Sequence, residues 1–219
     1  KKAMGELNYN PNRIARGLRA NKTYTISFLI PDITNDFYTE IYKGIHETAV
    51  KKGYITSLYE INNTDKTLEI ILNNKTDGII LGTNISDKLL NKLKDTKMPL
   101  VSISAANMQA KTISTLVDSR QATENLVDYL YRMGHSQIAI ITYNNRTNPR
   151  FQGYRDGLEN NGLKFNPQLV LMVSEDDYHY HLGYKAMNNF INTVYEKEDI
   201  TALIAYNDLT AVGAIKAVH

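Results

Sequence analysis

The chain of 219 residues contains no cysteine, which excludes disulfide bridges and thiolate metal sites. It also lacks any apolar run near the roughly 18 residues that a membrane-spanning helix needs. Residues 1–22 are polar and basic, without the apolar stretch of a signal peptide. We therefore expect a protein of the reducing cytoplasm that has no membrane partner.

The sequence motifs that usually carry chemistry are missing as well. No G-x-G-x-x-G or G-x-x-x-x-G-K-[ST] follows a predicted strand, and there is no G-x-S-x-G or H-E-x-x-H. His179 and His181 stand beside Asp176 and Asp177. On a strand these histidines could hold a metal, whereas in a loop entering a helix they would be solvated. We predict no catalytic residues, no cofactor and no metal, and hence no enzyme.

The apolar residues that are present form short β-branched runs that alternate with segments of helical spacing. The runs typical of buried parallel strands are 24–30, 54–59, 77–82, 99–104, 113–117, 137–142, 169–173 and 201–206. The helical segments are 36–53, 65–74, 119–133, 150–161, 180–195 and 208–218. This alternation predicts an α/β fold with doubly wound parallel sheets. Gly53, Gly134 and Gly162 follow helical segments and are expected to end them.

The eight strands could form one sheet or two halves joined near Arg132–Ser136, where a helix stops and a new strand begins. We favour two halves, residues 23–133 and 134–219, preceded by a separate segment of residues 1–22. Both ends of the chain look cut, since the first residues resemble the last turns of a helix and the last helix stops at His219.

The N-terminal segment concentrates positive charge. Residues 1–22 hold six basic residues and one acidic residue, while the rest of the chain has a small acidic excess. This pattern indicates either an anionic partner or a solvated tail. If residues 12–19 form a helix, three arginines make a basic stripe beside Ile14 and Leu18. Phosphates and an apolar slot in the DNA minor groove would satisfy both stripes, but Ile14 and Leu18 could equally pack on the body.

Six stretches carry a resemblance that covers nearly the whole chain: residues 2–19, 25–45, 75–82, 117–142, 150–159 and 202–218, among them KAMGELNYNPNRIARGLR and ALIAYNDLTAVGAIKAV. Together and in this order they resemble the LacI/GalR family of bacterial transcriptional regulators. The resemblance implies two subdomains of the periplasmic-binding-protein type I kind, with a ligand cleft between them. It also implies that the chain stops before it recrosses to the first subdomain.

For the N-terminal segment, the resemblance implies contacts with operator DNA. Residues 2–8 resemble the end of a helix-turn-helix headpiece that reads the major groove and is mostly missing here. Residues 12–19 resemble the hinge helix, which enters the minor groove as one of a pair in a homodimer. The leucine at position 18 would wedge into a base step, with Ala15 at the close approach. The implied DNA-binding residues are Asn12, Arg13, Ala15, Arg16, Leu18 and Arg19.

For the cleft, the resemblance implies a small-molecule effector, which we expect to be a sugar. The implied effector-binding residues are Asp32, Asn35, Phe37, Tyr38, Asp118, Arg150, Asn207 and Asp208. Aromatic faces with acids, amides and an arginine suit sugar hydroxyls, which both donate and accept hydrogen bonds. Alternatively, Asp32 and Asp208 cap helices, Phe37 lies in the core and Arg150 lies on a helix surface.

The function that follows is a ligand-responsive, sequence-specific DNA-binding repressor. The alternative is an extracytoplasmic sugar-binding protein of a transport system, which shares the effector fold but has no use for a basic N-terminal segment.

Overall fold

The computed structural model describes residues 22–61, 69, 71–73, 76–83, 85–103, 113–143, 148–174, 179–193 and 200–219. The chain divides into two compact units, Lys1–Leu116 and Val117–His219. Each unit contains its own parallel sheet, so the α/β fold is confirmed and the eight strands form two sheets. Within the described ranges, no helix is both long and apolar enough to cross a membrane.

The first unit contains a five-stranded sheet in the order β2-β1-β3-β4-β5, in which every pairing is parallel. The strands are β1 (Thr25–Ile30), β2 (Ile55–Glu60), β3 (Gly78–Leu81), β4 (Leu100–Ser102) and β5 (Ile113–Ser114). Helix α1 (Asp36–Lys51) connects β1 to β2, and α2 (Asp87–Asp95) connects β3 to β4. Parallel neighbours require such crossovers, which explains the strand–helix alternation in the sequence.

Strand β1 lies at the centre of this unit's core. Phe28, Leu29 and Ile30 are fully buried, as expected for a strand that is covered on both faces. One apolar cluster joins Leu29 to residues of β3, α2 and the connecting segments; its buried members are Leu29, Ile61, Ile71, Ile79, Leu81, Ile85, Leu89, Leu90 and Leu93.

Helix α2 was absent from the predicted elements. Ser86 caps it by accepting a hydrogen bond from the backbone N–H of Leu89 at 3.3 Å. Leu89, Leu90 and Leu93 then enter the core. The helix has only nine residues, and its many charged side chains hide the short apolar stripe from a reading of hydrophobic periodicity.

The second unit contains a three-stranded parallel sheet in the order β7-β6-β8. Its strands are β6 (Ile138–Tyr143), β7 (Val170–Val173) and β8 (Ala202–Ile204), and its helices are α3 (Ser119–Arg132), α4 (Pro149–Asn160), α5 (His179–Thr193) and α6 (Asp208–Val218). Strand β6 alternates between two cores. Ile138 and Ile140 face the helices α3 and α4, whereas Ala139 and Ile141 face α5 and α6.

Helix α3 belongs to the second unit, although the sequence analysis assigned it to the first half. Its buried Val127 packs in one cluster with Tyr154 and Leu158 of α4. The two units therefore divide the chain between Leu116 and Val117, and not after residue 133. Burial against α4 decides which unit α3 belongs to. The glycine that follows α3 marks only the end of the helix and not the boundary between the units.

The other predicted helices agree with the structure to within two residues. The predicted helix 65–74 lies partly outside the described residues, and residues 194–195 lie wholly outside them. The three glycines predicted to end helices all have positive φ: 79° at Gly53, 94° at Gly134 and 67° at Gly162. This left-handed conformation is the one that glycine favours just after a helix.

Candidate functional site

In the first unit, four of the predicted effector residues lie in the loop between β1 and α1 or in the first turn of α1. The Oδ1 atom of Asp32 accepts hydrogen bonds from the N–H and the hydroxyl of Thr34, at 2.8 and 2.7 Å. The Oδ1 atom of Asn35 accepts from the N–H of Phe37 at 3.1 Å and so caps α1. These contacts fix the loop at the carboxyl end of β1, the edge where open α/β sheets bind ligands.

Phe37 lies in the first turn of α1 and is 57% exposed, so it is not a core residue. Its ring meets that of Tyr38 edge-on, with the centroids 5.1 Å apart and the planes at 81°. The contact holds the phenyl ring in a defined orientation. An exposed aromatic ring beside polar loop atoms can stack on the apolar face of a small molecule.

In the second unit, three predicted residues stand at helix N-termini. Asp118 caps α3 by accepting from the N–H of Gln121 at 3.0 Å. Asn207 caps α6 by accepting from the N–H and hydroxyl of Thr210, at 2.9 and 2.7 Å. Asp208 begins that helix and is exposed. Each carboxylate bonds the backbone through Oδ1, as Asp32 does, and retains a second oxygen for other partners.

Arg150 is the second residue of α4, and the side chain of the capping residue Asn148 accepts from the Arg150 N–H at 3.0 Å. The guanidinium carbon lies 4.4 Å from the centroid of the Tyr206 ring. Tyr206 in turn meets the Tyr143 ring edge-on, with centroids 4.5 Å apart. Two tyrosines at the ends of neighbouring strands therefore hold the arginine in place through a cation–π contact.

The same arginine lines a cavity of about 170 Å³ in the second unit. Residues of α3, β6 and β8 and the segment after β8 contribute the rest of the wall: Ala122, Thr123, Leu126, Ile140, Ile141, Ile204, Ala205 and Tyr206. The wall is mainly apolar, with Arg150 as its one charged member among these residues. The guanidinium of Arg150 therefore stands beside a cavity whose wall is otherwise mainly apolar.

Neither Tyr143 nor Tyr206 is among the site residues predicted from the sequence. A signal was available, because each follows or ends a strand on the edge where Asn207 had already been singled out. What the sequence did not show is that β6 and β8 are neighbours, which brings the two rings together.

Asp118 is not grouped with Arg150. It lines a polar groove of about 400 Å³ between α3 and α4, together with Arg120, Gln121, Glu124, Asp156, Glu159 and Asn160. There the hydrogen bond from Arg120 holds the pKa of Asp156 below its ordinary value.

The remaining predictions concern metals and DNA. In the part of the chain that the structure describes, no three His, Cys, Asp or Glu side chains could hold a metal ion together. His179 and His181 lie in α5 rather than on a strand, and Asp176 and Asp177 lie outside the described residues. The predicted DNA-binding residues of the segment 12–19 also lie outside them.

Comparison with known proteins identifies the family. The family described as periplasmic binding proteins and sugar binding domain of LacI family matches residues 23–219, and the chain belongs to it. Catabolite control protein A of Priestia megaterium is 32% identical over 218 residues, covering 95% of this chain and 64% of that protein. The HTH-type transcriptional repressor CytR of Escherichia coli K12 is 27% identical over 222 residues, covering 98% of this chain and 63% of that protein.

The chain thus spans 63–64% of the length of these two relatives. Among solved structures, a LacI family transcriptional regulator from Enterococcus faecium, with bound ribose, superimposes with a TM-score of 0.74 at 22% identity. The match covers 89% of this chain and 71% of that one. It confirms the fold.

Proposed function

We propose that this chain is the effector-binding part of a ligand-responsive, sequence-specific DNA-binding transcriptional repressor. The family match and the repressor CytR among the relatives support this proposal. The protein acts in the cytoplasm as a homodimer and catalyses no reaction. Its effector is a sugar.

The observation that carries the proposal is the position of Arg150. Its guanidinium is held on the Tyr206 ring at the carboxyl edge of the second sheet, so little side-chain entropy is lost when a ligand arrives. A guanidinium offers several N–H donors in a planar fork, which suits the oxygens of a sugar.

The other predicted side chains supply the complementary groups. Asp118 and Asp208 of the second unit and Asp32 of the first offer carboxylate oxygens as acceptors for sugar hydroxyls. The side-chain amides of Asn35 and Asn207, whose oxygens cap helices, offer N–H donors. Phe37, with Tyr38 against it, offers a ring face for the C–H surface of a pyranose or furanose. Capping a helix through one oxygen does not exclude ligand binding through the other. Carboxylates outnumber the single guanidinium, which favours a neutral sugar over a phosphorylated one.

The N-terminal segment contacts the operator. Arg13, Arg16 and Arg19 neutralise phosphates, and Asn12 caps the helix that carries them. Leu18 inserts into a base step of the minor groove, with Ala15 allowing the close approach, while the headpiece reads the major groove. Ligand binding changes operator affinity through a coupling free energy, typically about 1–3 kcal/mol.

A thermal-shift screen tests the effector assignment. The panel comprises ribose and other pentoses, hexoses, disaccharides, sugar phosphates and purines. A ligand at 100 times its Kd stabilises the folded state by about 2.7 kcal/mol. Arg150→Ala should abolish the shift given by the ligand found. The control is Arg155→Ala on the same helix, since Arg155 lies over the Phe165 ring at 4.2 Å and outside the predicted site. Equal loss in both variants, or a shift retained in Arg150→Ala, contradicts the assignment.

The DNA assignment is tested with the full-length protein and an operator obtained by in vitro selection with that protein. Leu18→Ala should weaken operator binding by about tenfold or more, because the wedge is lost. Sugar binding should be unchanged. Unaltered operator affinity would disprove the wedge.

The family description also includes periplasmic binding proteins, which keeps a transport component as the second candidate. That protein would bind a sugar through the same residues and would show no sequence-selective DNA affinity at physiological salt. The full-length binding experiment separates the two functions.

A further inference from the structure

Asp77 makes three hydrogen bonds to the residues that precede strand β1. Its Oδ1 atom accepts from the N–H and the hydroxyl of Thr23, at 2.7 and 2.8 Å. Its Oδ2 atom accepts from the N–H of Tyr24 at 3.0 Å. One carboxylate thus accepts hydrogen bonds from two consecutive residues that lie more than fifty positions earlier in the sequence.

The carboxylate is itself held rigidly. The Asp77 N–H donates to the carbonyl of Thr25 at 2.8 Å, and the hydroxyl of Thr76 donates to the same carbonyl at 2.9 Å. These two contacts anchor the segment before β3 to the start of β1. The three bonds to Thr23 and Tyr24 lie outside the strand ladder, which begins at Thr25.

Tyr24 needs this restraint, because its φ of 54° is in the left-handed region, which a tyrosine rarely adopts. A conformation of this kind persists only where the surroundings over-determine it. Besides Asp77, the ring of Tyr54 contributes, with its centroid 5.6 Å from that of Tyr24. The chain direction at Tyr24 is therefore set by contacts and not by local preference.

The charge of Asp77 strengthens the contacts. Partial burial raises the pKa of this carboxyl, but the hydrogen bonds from Thr23 and Tyr24 and the charge of Lys22 outweigh it and hold the pKa below its ordinary value. The group is therefore ionised at neutral pH. Hydrogen bonds to an ionised acceptor are about twice as strong as neutral ones.

We propose that Asp77 is a positioning residue that clamps Thr23 and Tyr24, where the basic N-terminal segment joins strand β1 of the first unit. A displacement of that unit is then passed to the basic N-terminal segment instead of being absorbed by a flexible joint at Thr23 and Tyr24. The consequence for DNA binding rests on the proposed function. The clamp itself does not, and it can be tested without DNA or effector.

The test uses trypsin on the chain as it exists and follows cleavage of the Lys22–Thr23 bond by mass spectrometry. A protease needs several residues on both sides of the bond in extended form, so cleavage requires Thr23 and Tyr24 to detach from Asp77. When opening and closing are fast, the rate follows the population of the open form. Asp77→Ala should raise this rate by about tenfold or more, because it removes three charge-assisted bonds.

Two comparisons make the result specific. Asp77→Asn keeps one carbonyl oxygen for Thr23 but loses the acceptor for the Tyr24 N–H, so its rate should lie between those of the wild type and Asp77→Ala. Asp156→Asn is the matched control, since it also removes a hydrogen-bonded carboxylate with a lowered pKa. It should leave cleavage after Lys22 unchanged.

The proposal is overturned if Asp77→Ala is cleaved after Lys22 at the wild-type rate. It is also overturned if cleavage after the exposed Lys97 of the same unit rises in parallel, because that shows general unfolding. A positive trypsin result together with no operator binding by the full-length protein would refute the proposed function and leave the clamp intact.

Discussion

The two units differ in how their helices are held. In the second unit, α3 and α4 cross at Gly153, where an added Cβ would overlap the backbone carbonyl of Arg120. Helices α5 and α6 cross in the same way at Gly183 and Gly213. In the first unit, the glycine inside α1, Gly44, has no described atom within 4 Å of an added Cβ.

This difference has a structural meaning. Backbone-to-backbone contact leaves no room for adjustment, so both helix pairs of the second unit form a stiff frame. The α3–α4 pair also contributes to the wall of the cavity beside Arg150. Helix α1 rests on its sheet through side chains, beside an apolar groove of about 490 Å³ that includes Ile26, Ile45 and Val101. The helix crossings of the second unit are therefore intolerant of added volume, whereas α1 of the first unit tolerates it at Gly44.

The largest expected effect tests the stiff frame. Gly153→Ala should destabilise the second unit by about 3 kcal/mol, because the clash with the Arg120 carbonyl outweighs the better helix propensity of alanine. Urea denaturation, followed separately for probes in the two units, should show an earlier transition in the second unit only. A stability equal to that of the wild type would remove the basis of the comparison.

The next effect concerns Tyr154, which is completely buried and donates a hydrogen bond from its hydroxyl to the Ile138 carbonyl at 2.7 Å. Tyr154→Phe should cost about 1.5 kcal/mol, since it removes the bond that ties α4 to β6. Urea unfolding at pH 7 measures this loss, and Tyr129→Phe on the exposed part of α3 provides the control. Equal stability of Tyr154→Phe and wild type would show that the frame does not depend on this bond.

The same variant has a pH signature. Burial raises the pKa of Tyr154 to about 12 from its ordinary 10. Below pH 10 the hydroxyl is protonated in both the folded and unfolded states, so its contribution is fully present. As pH rises from 10 to 12, only the unfolded state releases the proton, and stability falls. The free-energy difference between wild type and Tyr154→Phe should therefore shrink across that window; a constant difference would contradict the assignment.

A smaller effect is expected on ligand affinity. Tyr206→Leu should weaken binding of the sugar found in the screen by about fivefold, equivalent to the loss of about 1 kcal/mol of cation–π interaction. Tyr206→Phe keeps the ring and should retain affinity. Phe165→Leu, which removes the corresponding ring under Arg155, is the matched control for calorimetry. Equal affinities for the Leu and Phe variants at position 206 would show that the ring does not position Arg150.

The smallest effect has the opposite sign. Gly44→Ala should stabilise the first unit by about 0.5 kcal/mol, because α1 gains helix propensity and the added methyl group meets open space. The midpoint of the first unit's urea transition should rise. A fall would mean that the two units respond alike to added volume.

The sequence alone predicted much of this fold, for reasons that particular elements make clear. Buried strands such as β1 and β6 show as β-branched runs, and the ends of α1, α3 and α4 show as glycines, because these signals depend on residues a few positions apart. Helix α2 was not predicted, because its three buried leucines lie within a short charged segment. The loop after β1 was identified as a site through a family resemblance, and its conformation follows from the local contacts of Asp32 and Asn35.

Other features depend on residues that are distant in the sequence. The membership of α3 is decided by the burial of Val127 against α4. The contact of Arg150 with Tyr206 requires β6 and β8 to be neighbours, and the hydrogen bonds of Asp77 require β1 and β3 to be neighbours. The sequence by itself determined most of the alternation of strands and helices and the glycines that end three of the helices. The tertiary structure alone decided which elements share a unit and which side chains meet, because those outcomes depend on burial and sheet order, and no local pattern encodes them.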